Sequence, residues 1–535
     1  MSDRLWAWWS NPVVLLAVVA GLIAFVVQSG DLDSVDTARR LQTTHSFWTS
    51  APPVLPNDYP EFGICGRGGR IYAWYGMGQS LLMLPADIVG TALERLPIFD
   101  RYKADGSDPS VRNIVVSYST NILVNVLTAL VCLRFLVLLG FERNHAAAGV
   151  LALLVCTTHL HYTQNMMENN FIMLLTLTGF AYQYEWLVTR NRRALCIGSA
   201  AFGFNLLTRL TTGLDLLAGA FFLVLVLWLT NVRGWALWER YVAYVRIAFP
   251  LYAVFLVIDR LYQFYRFGSF FNTYVALFAV EQRRLRPDLP ANYPFETPFH
   301  VGFFGALFTP EKSIFLFDPL LLGMIFVAIV AWGRFRPEVR AYLISAWLLL
   351  FVYLCFYARY TVWSGDSAWG DRYVSTATEL AAFLSVPLLL KYRANIGKVA
   401  WSGGIVLIAA AAAVQLASVA FWLELELAQM LTLGHPTLVI GLRFKNIVAF
   451  ALGKAQQWHL MNPDMTDDAW DYVHITTWNF LPFVLRRVGE APAWVVRTAF
   501  AIWTAGILSL GGTLWRMTEL LRRAEKIPVQ ETSLA

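Results

Sequence analysis

The stretch "YGMGQSLLMLPADIVGTAL", residues 75–93, decides how this chain sits in a bilayer. It is nearly as long as the roughly 20 apolar residues that cross a hydrocarbon core. Yet it carries Gly76, Gly78 and Pro85, and polar sequence flanks it on both sides. If it crosses, the loop "TRNRRAL" with Arg190, Arg192 and Arg193 falls outside, against the excess of Lys and Arg that cytoplasmic loops carry. If it lies along the outer face, the inside collects Arg143, Arg190, Arg192, Arg193, Arg233, Arg240, Arg334, Arg336, Arg340, Lys391, Arg393, Lys398 and the tail "RMTELLRRAEK". We read residues 75–93 as an interfacial helix and both termini as cytoplasmic.

Composition sets the class around that stretch. The chain is 57% hydrophobic and 15% charged, with a mean hydropathy of +0.51, a balance that suits a multi-span membrane protein and not a soluble surface. Apolar stretches of spanning length fall at about 12–28, 114–138, 145–161, 170–189, 194–209, 213–230, 246–264, 316–333, 341–359, 376–391, 399–421 and 494–514, twelve in all. The expected fold is an all-α polytopic membrane protein with interfacial helices on its outer face. The net charge of +6 follows from short basic clusters between apolar runs, which topology explains and nucleic acid does not. Five cysteines without paired spacing, Cys65, Cys132, Cys156, Cys196 and Cys355, indicate neither a disulfide framework nor a zinc site. The first apolar run lacks an A-x-A cleavage site and reads as a retained anchor.

This topology leaves residues 29–113, 265–315 and 422–493 outside, and the polar residues of the outer side gather there and in short turns. "GDLDSVDTARRL" follows the first span with Asp31, Asp33, Asp36, Arg39 and Arg40. Glu168 lies in "HYTQNMMENN", Arg209 in "LTRLTT", Lys312 in "FTPEKS", and Asp366, Asp371 and Arg372 in "WSGDSAWGDRY". Each has a plain structural alternative. Acids after a span suit the start of a helix, where the dipole favours them. Arg209 suits snorkelling from a helix end, and the 366–372 charges suit mutual pairing in a surface loop. The glycines of "GICGRGGR" read as turns, because no strand precedes them and no GKS or GKT follows. Together the charges suggest more, because ionisable groups at membrane depth cost on the order of 2.5–3.5 kcal/mol and usually face a cavity. A carboxylate can take the proton of an acceptor hydroxyl while Arg and Lys hold a phosphate leaving group.

The order of these segments resembles that of the GT-C membrane glycosyltransferases, of the bacterial polyprenyl-phosphate-sugar-dependent kind related to protein O-mannosyltransferases and to the aminoarabinose transferase of lipid A. The resemblance is carried by "GDLDSVDTARRL", "GGRIYAWYGMGQSLLMLP", "NILVNVLTALVCLRFLVLLGF", "YTQNMMENNFIMLLTL", "GALFTPEKSIFLFDPLLL" and "WSGDSAWGDRY", and it covers most of residues 1–390. It implies a catalytic acid on Asp36, or on Asp33 or Asp31 of the same motif, and a second acid on Glu168. It also implies donor-phosphate contacts from Arg209, Lys312 and Arg372. Asp31, Tyr75, Gln79 and Asp366 are expected to line the substrate cavity. Among the three acids Asp36 is favoured as the base, Asp31 as a helix cap, with Asp33 on a neighbouring part of the same helix and Arg39 and Arg40 one turn on keeping Asp36 ionised. Relatives often read GPRY where this chain has "GDRY", so Asp371 replaces a neutral residue beside Arg372 and is expected to weaken its phosphate contact.

The reading is therefore an inverting glycosyltransferase of the bacterial inner membrane. It would move a sugar from a polyprenyl-phosphate donor to a glycan, lipid or protein acceptor on the outer face. No organic cofactor is implied. "DLD" has the chemistry for a divalent metal, though the family does not generally need one. The expected organisation is a transmembrane catalytic region over 1–421, an outer segment over 422–493 containing Trp458, Trp470 and Trp478, and a last span with its cytoplasmic tail over 494–535. The rivals are a transporter or flippase of lipid-linked saccharides, which needs polar residues in mid-span, and a surface-glycan polymerase or ligase. Mid-span acids are few, chiefly Asp215 and Asp259.

Overall fold

A computed structural model describes residues 11–56, 63–99, 109–461, 476–488 and 491–525. Each apolar stretch contains a helix. In order these are Pro12–Val27, Val111–Leu138, Arg143–Cys156, Asn169–Thr189, Arg192–Thr208, Gly213–Leu229, Trp235–Phe267, Leu320–Ala331, Pro337–Tyr357, Ser375–Ala382 with Ser385–Lys391, Lys398–Ser418 and Ala493–Glu525. The tenth stretch is broken in two because Pro387 cannot donate to the carbonyl of Phe383 four residues back. Among the described residues six helices are both long and apolar enough to cross a membrane, and four shorter apolar ones accompany them. The chain is an α-helical, multi-pass membrane protein.

The helices meet around a fully buried aromatic cluster. Tyr342 sits 5.0 Å from Phe135 and 5.6 Å from Phe180, ring centre to ring centre, and Phe222 closes the group 5.7 Å from Phe180. That cluster ties Val111–Leu138, Asn169–Thr189, Gly213–Leu229 and Pro337–Tyr357 together through edge-to-face and tilted pairs. Beside it, Phe202 presses on Gly179 and Gly219, where a Cβ would collide with the ring, the close approach that small residues permit between membrane helices.

The segment 75–93 forms the helix Gly78–Glu94, which is not among the helices long and apolar enough to cross. Its buried face is polar as well as apolar, with Gln79, Ser80, Asp87 and Thr91 beside Met83. Asp87 is fully buried. It accepts from Trp48 Nε1 at 2.7 Å and from Arg112 Nε at 2.5 Å, and lies 3.0 Å from His45 Nδ1. It thereby pins this helix both to the helix Val35–Ser46 and to the start of Val111–Leu138.

The expected outer segments carry two further elements. The all-α expectation omits an antiparallel pair, Ile64↔Tyr72 and Cys65↔Ile71, closed by a turn in which Gly68 and Gly69 take positive φ of 73° and 72°. The glycines are turn residues, as read, although a short strand does precede them. The apolar helix Phe299–Phe308 also lies within the expected outer loop 265–315, and at about 1.5 Å per residue it falls far short of the roughly 30 Å core.

The segment after residue 421 is anchored by buried polar groups. Arg443 makes a two-point pair with Glu426 (2.7 and 2.6 Å), both fully buried, and its third nitrogen donates to the carbonyls of Ser418 and Phe421. These close the end of the helix Lys398–Ser418, whose last carbonyls have no partners within the helix. Gln164 likewise donates to the carbonyls of Val27, Val419 and Asn479. Trp478 stacks on Phe421 at 4.7 Å, whereas Trp470 lies outside the described residues, as do parts of the 422–493 segment and the end of the tail.

Candidate active site

The helix Val35–Ser46 begins at Ser34, not at Asp31, and Asp33 precedes it with a positive φ of 51°. Asp36 therefore occupies the first turn, where the helix dipole favours a carboxylate. Its partners come from far along the chain. Arg372 Nη1 donates to Asp36 Oδ2 at 2.9 Å across 336 positions, and the hydroxyl of Tyr75 donates to Asp36 Oδ1 in a short bond. Burial first, and then Asp36, pushes the Tyr75 phenol well above its ordinary range, so it stays a donor.

One turn on, Arg40 does not pair with Asp36. It turns to Glu168 at 2.6 Å, which Arg209 also grips in a short ion pair. Burial alone would raise the Glu168 carboxyl, but the guanidiniums of Arg40 and Arg209 outweigh it and hold this acid far below its ordinary value. Arg40 lies 4.2 Å over the Tyr75 ring, and one of its terminal nitrogens, Nη1, is buried without a partner.

These six groups line one cavity of about 690 Å³. Leu206, Leu210, Leu214, Phe356, Tyr357 and Tyr360 form its apolar wall, on helices and on the loop that follows Pro337–Tyr357. The close approach of its two sides needs glycine. A Cβ at Gly76 would strike the carbonyls of Leu207 and Thr208, and one at Gly78 would strike the Thr208 side chain. Asp366, at a positive φ of 57°, also lines the cavity.

Other expected site residues are placed elsewhere. Lys312 does not line the cavity. Its ammonium is buried and donates to the carbonyls of Asp366 (2.6 Å), Ala368 (2.7 Å) and Gly370 (3.3 Å), so it holds the loop that carries Arg372. Burial lowers it to about 8. Asp371 does not take the guanidinium beside it either. Its carboxyl accepts from the Tyr373 amide at 3.1 Å, and burial raises it to about 7. Gln79 is buried and donates to the Met166 carbonyl at 2.9 Å. Asp31 accepts from the Leu32 amide at 2.6 Å, and Asp33 from the Ser29 hydroxyl at 3.0 Å. Burial, with Asp31 adding to it, raises Asp33 to about 8. Among the described residues no group of three or more His, Cys, Asp or Glu side chains could hold a metal ion.

Sequence reasoning did not single out Arg40 as a partner of Glu168, and it missed Asp87 altogether. "RR" one turn beyond Asp36 was the available signal for the first. For Asp87 there was none beyond a single acid in an apolar stretch.

Compared with known proteins, the sequence matches no family model and no curated protein. Among solved structures it is similar to the crystal structure of ArnT from Cupriavidus metallidurans bound to undecaprenyl phosphate. The identity is 14%, the match covers 96% of this chain and 77% of that one, and the TM-score is 0.41.

Proposed function

We propose that this chain is an inverting membrane glycosyltransferase that uses a polyprenyl-phosphate-linked sugar. One observation carries the reading: Asp36 and Glu168 share a single cavity with Arg40, Arg209 and Arg372, which pair with them there. The order of motifs described above supports it. In the reaction the acceptor hydroxyl oxygen attacks the anomeric carbon and its proton passes to Asp36. The carbon–oxygen bond to phosphate breaks, and lipid phosphate departs with the electron pair. A carboxylate has about four acceptor positions; Tyr75 and Arg372 occupy two, which leaves room for the hydroxyl. Arg209 and Arg372 are the donors suited to the departing charge, and Arg40 brings its unpartnered Nη1 to the same end. Lys312 supports the phosphate site through the 366–370 loop. Asp33 is the alternative base, although its burial, with Asp31 beside it, outweighs the bond from Ser29 and favours the protonated form at neutral pH.

The same reading assigns residues 1–421 to the catalytic region, 422–493 to an outer segment and 494–535 to a final span and cytoplasmic tail, in a bacterial inner membrane with the cavity on the outer side. The expected mid-span acids favour an enzyme over a transporter. Asp215 accepts from Thr176 and Tyr353, and Asp259 pairs with Arg260, so neither is left to bind cargo. The test is release of lipid phosphate from a polyprenyl-phosphate sugar by purified protein with an envelope glycan fraction as acceptor. Turnover lost in Asp36→Asn supports the reading; movement of the intact lipid-linked sugar across vesicles without cleavage defeats it.

A further inference from the structure

The cavity has a second wall that the phosphate chemistry does not use. Trp74 adjoins Tyr75, their ring centres 5.7 Å apart, and lies 4.9 Å from Phe278, which in turn lies 6.1 Å from Tyr293. All four rings line the cavity. Phe278 and Tyr293 belong to the segment 265–315, so this part of the lining is built from the expected outer loops. Arg266, fully buried, fixes its base by donating to the carbonyls of Ala73 (2.5 Å) and Tyr75 (3.0 Å).

One helical turn before Arg266, Gln263 lines the cavity while only 4% exposed, and its Oε1 has no hydrogen-bond partner. Thr208 Oγ1, packed against Gly78, is buried without one as well. Unmade bonds on buried polar atoms cost about 1–3 kcal/mol each, so a turn of the Gln263 side chain that carries its amide to a ligand in the cavity is favoured. The charges at this end cancel. Arg260 is occupied by Asp259 and by the carbonyls of Phe270 and Asn272, whereas the other guanidiniums pair with Asp36 and Glu168. Aromatic faces, an amide, a hydroxyl and no net charge fit a neutral sugar ring, whose C–H face packs on π surfaces while its hydroxyls meet the few polar groups.

We infer that Trp74, Phe278, Tyr293 and Gln263 form an acceptor subsite for a neutral saccharide. The inference rests on the transferase reading and gives its acceptor class as a glycan. The geometry sets the direction of approach. Asp36 is held by Tyr75, the neighbour of Trp74, so an acceptor ring on Trp74 reaches the base past Tyr75.

Saturation-transfer NMR on the full chain in phospholipid nanodiscs tests this. The probes are a panel of neutral methyl glycosides, a Ser/Thr-rich peptide, and separately a short-chain polyprenyl phosphate. We expect at least one glycoside to bind, its apparent Kd to rise at least fivefold in Trp74→Ala and Gln263→Ala, and Trp74→Phe to retain it. Polyprenyl phosphate binding should be unchanged in all three variants. If Trp74→Ala loses both probes, Gln263→Ala decides. The subsite is overturned if no glycoside binds, if binding ignores both Trp74→Ala and Gln263→Ala, or if the peptide and not a glycoside depends on Trp74. Glycoside binding at Trp74 in a protein that does not bind polyprenyl phosphate would defeat the transferase reading and leave the subsite standing.

Discussion

Asp36 and Arg372 lie 336 positions apart and meet at 2.9 Å, with both side chains still partly open to the cavity (20% and 16% exposed). A guanidinium fixed on the carboxylate from one side and Tyr75 from the other orient Asp36 while leaving acceptor positions for a hydroxyl. Asp36→Asn is accordingly expected to lower transfer by about 10² to 10⁴, the range for loss of a general base, with polyprenyl phosphate binding preserved. Asp31→Asn should cost far less. Retention of more than about a tenth of wild-type turnover in Asp36→Asn, together with a dead Asp33→Asn or Glu168→Gln, would move the base to that residue.

The phosphate contacts separate from the loop support. Arg209→Ala and Arg372→Ala each remove a charge-assisted donor worth about 1.5–3 kcal/mol, so the Kd for polyprenyl phosphate should rise roughly ten- to a hundredfold. Lys312→Met is expected to act differently, lowering the melting temperature first because three carbonyls of the 366–370 loop lose their common donor. Equal phosphate affinity in both arginine variants, measured by ligand-induced thermal shift, would remove them from the donor site.

Two buried acids give the fold a pH dependence. Asp33 and Asp371 are raised by burial to about 8 and about 7 from an ordinary value of 3.8, so the folded chain binds their protons more tightly than the unfolded one. Their contribution to stability is complete below the ordinary carboxylate range and is lost as pH rises through about 7 to 8. The melting temperature of the protein in detergent should fall as pH rises from the ordinary value of 3.8 up to about 8 and level off above it. In Asp33→Asn the fall should shrink; an unaltered profile in both Asp33→Asn and Asp371→Asn would contradict the assignment.

Asp87 should behave as a fixed structural anion. Removing it strands Arg112 and the Trp48 donor at the junction of three helices, and loss of one partner of a buried pair typically costs about 3–5 kcal/mol. Asp87→Ala should therefore lower thermal stability markedly in size-exclusion and scanning assays, and a shift of less than a degree or two would show that the junction relaxes without cost.

Labelling settles the orientation of the helix Gly78–Glu94. A cysteine at Ser110, which starts the helix Val111–Leu138, should react with an impermeant maleimide from outside, and one at Arg192 only after permeabilisation. The opposite pattern would make residues 75–93 a crossing segment. Asp100, the other natural position for such a label, lies outside the described residues.

The sequence by itself determined where the helices run. Bilayer burial of a backbone demands that each segment satisfy its own hydrogen bonds, so length, apolarity and arginine placement, all local properties, locate the elements and set 75–93 apart. The break at Pro387 and the turn at Gly68 and Gly69 follow from equally local chemistry. Which charges meet was decided only by the tertiary structure. Arg40 is one turn from Asp36 and goes to Glu168; Arg372 is hundreds of residues away and takes Asp36; Lys312, a residue type suited to phosphate, is spent on three carbonyls. Ion pairs and hydrogen bonds discriminate over tenths of an ångström and by direction, and that geometry is set by how the helices pack, which no periodicity or spacing along one chain encodes.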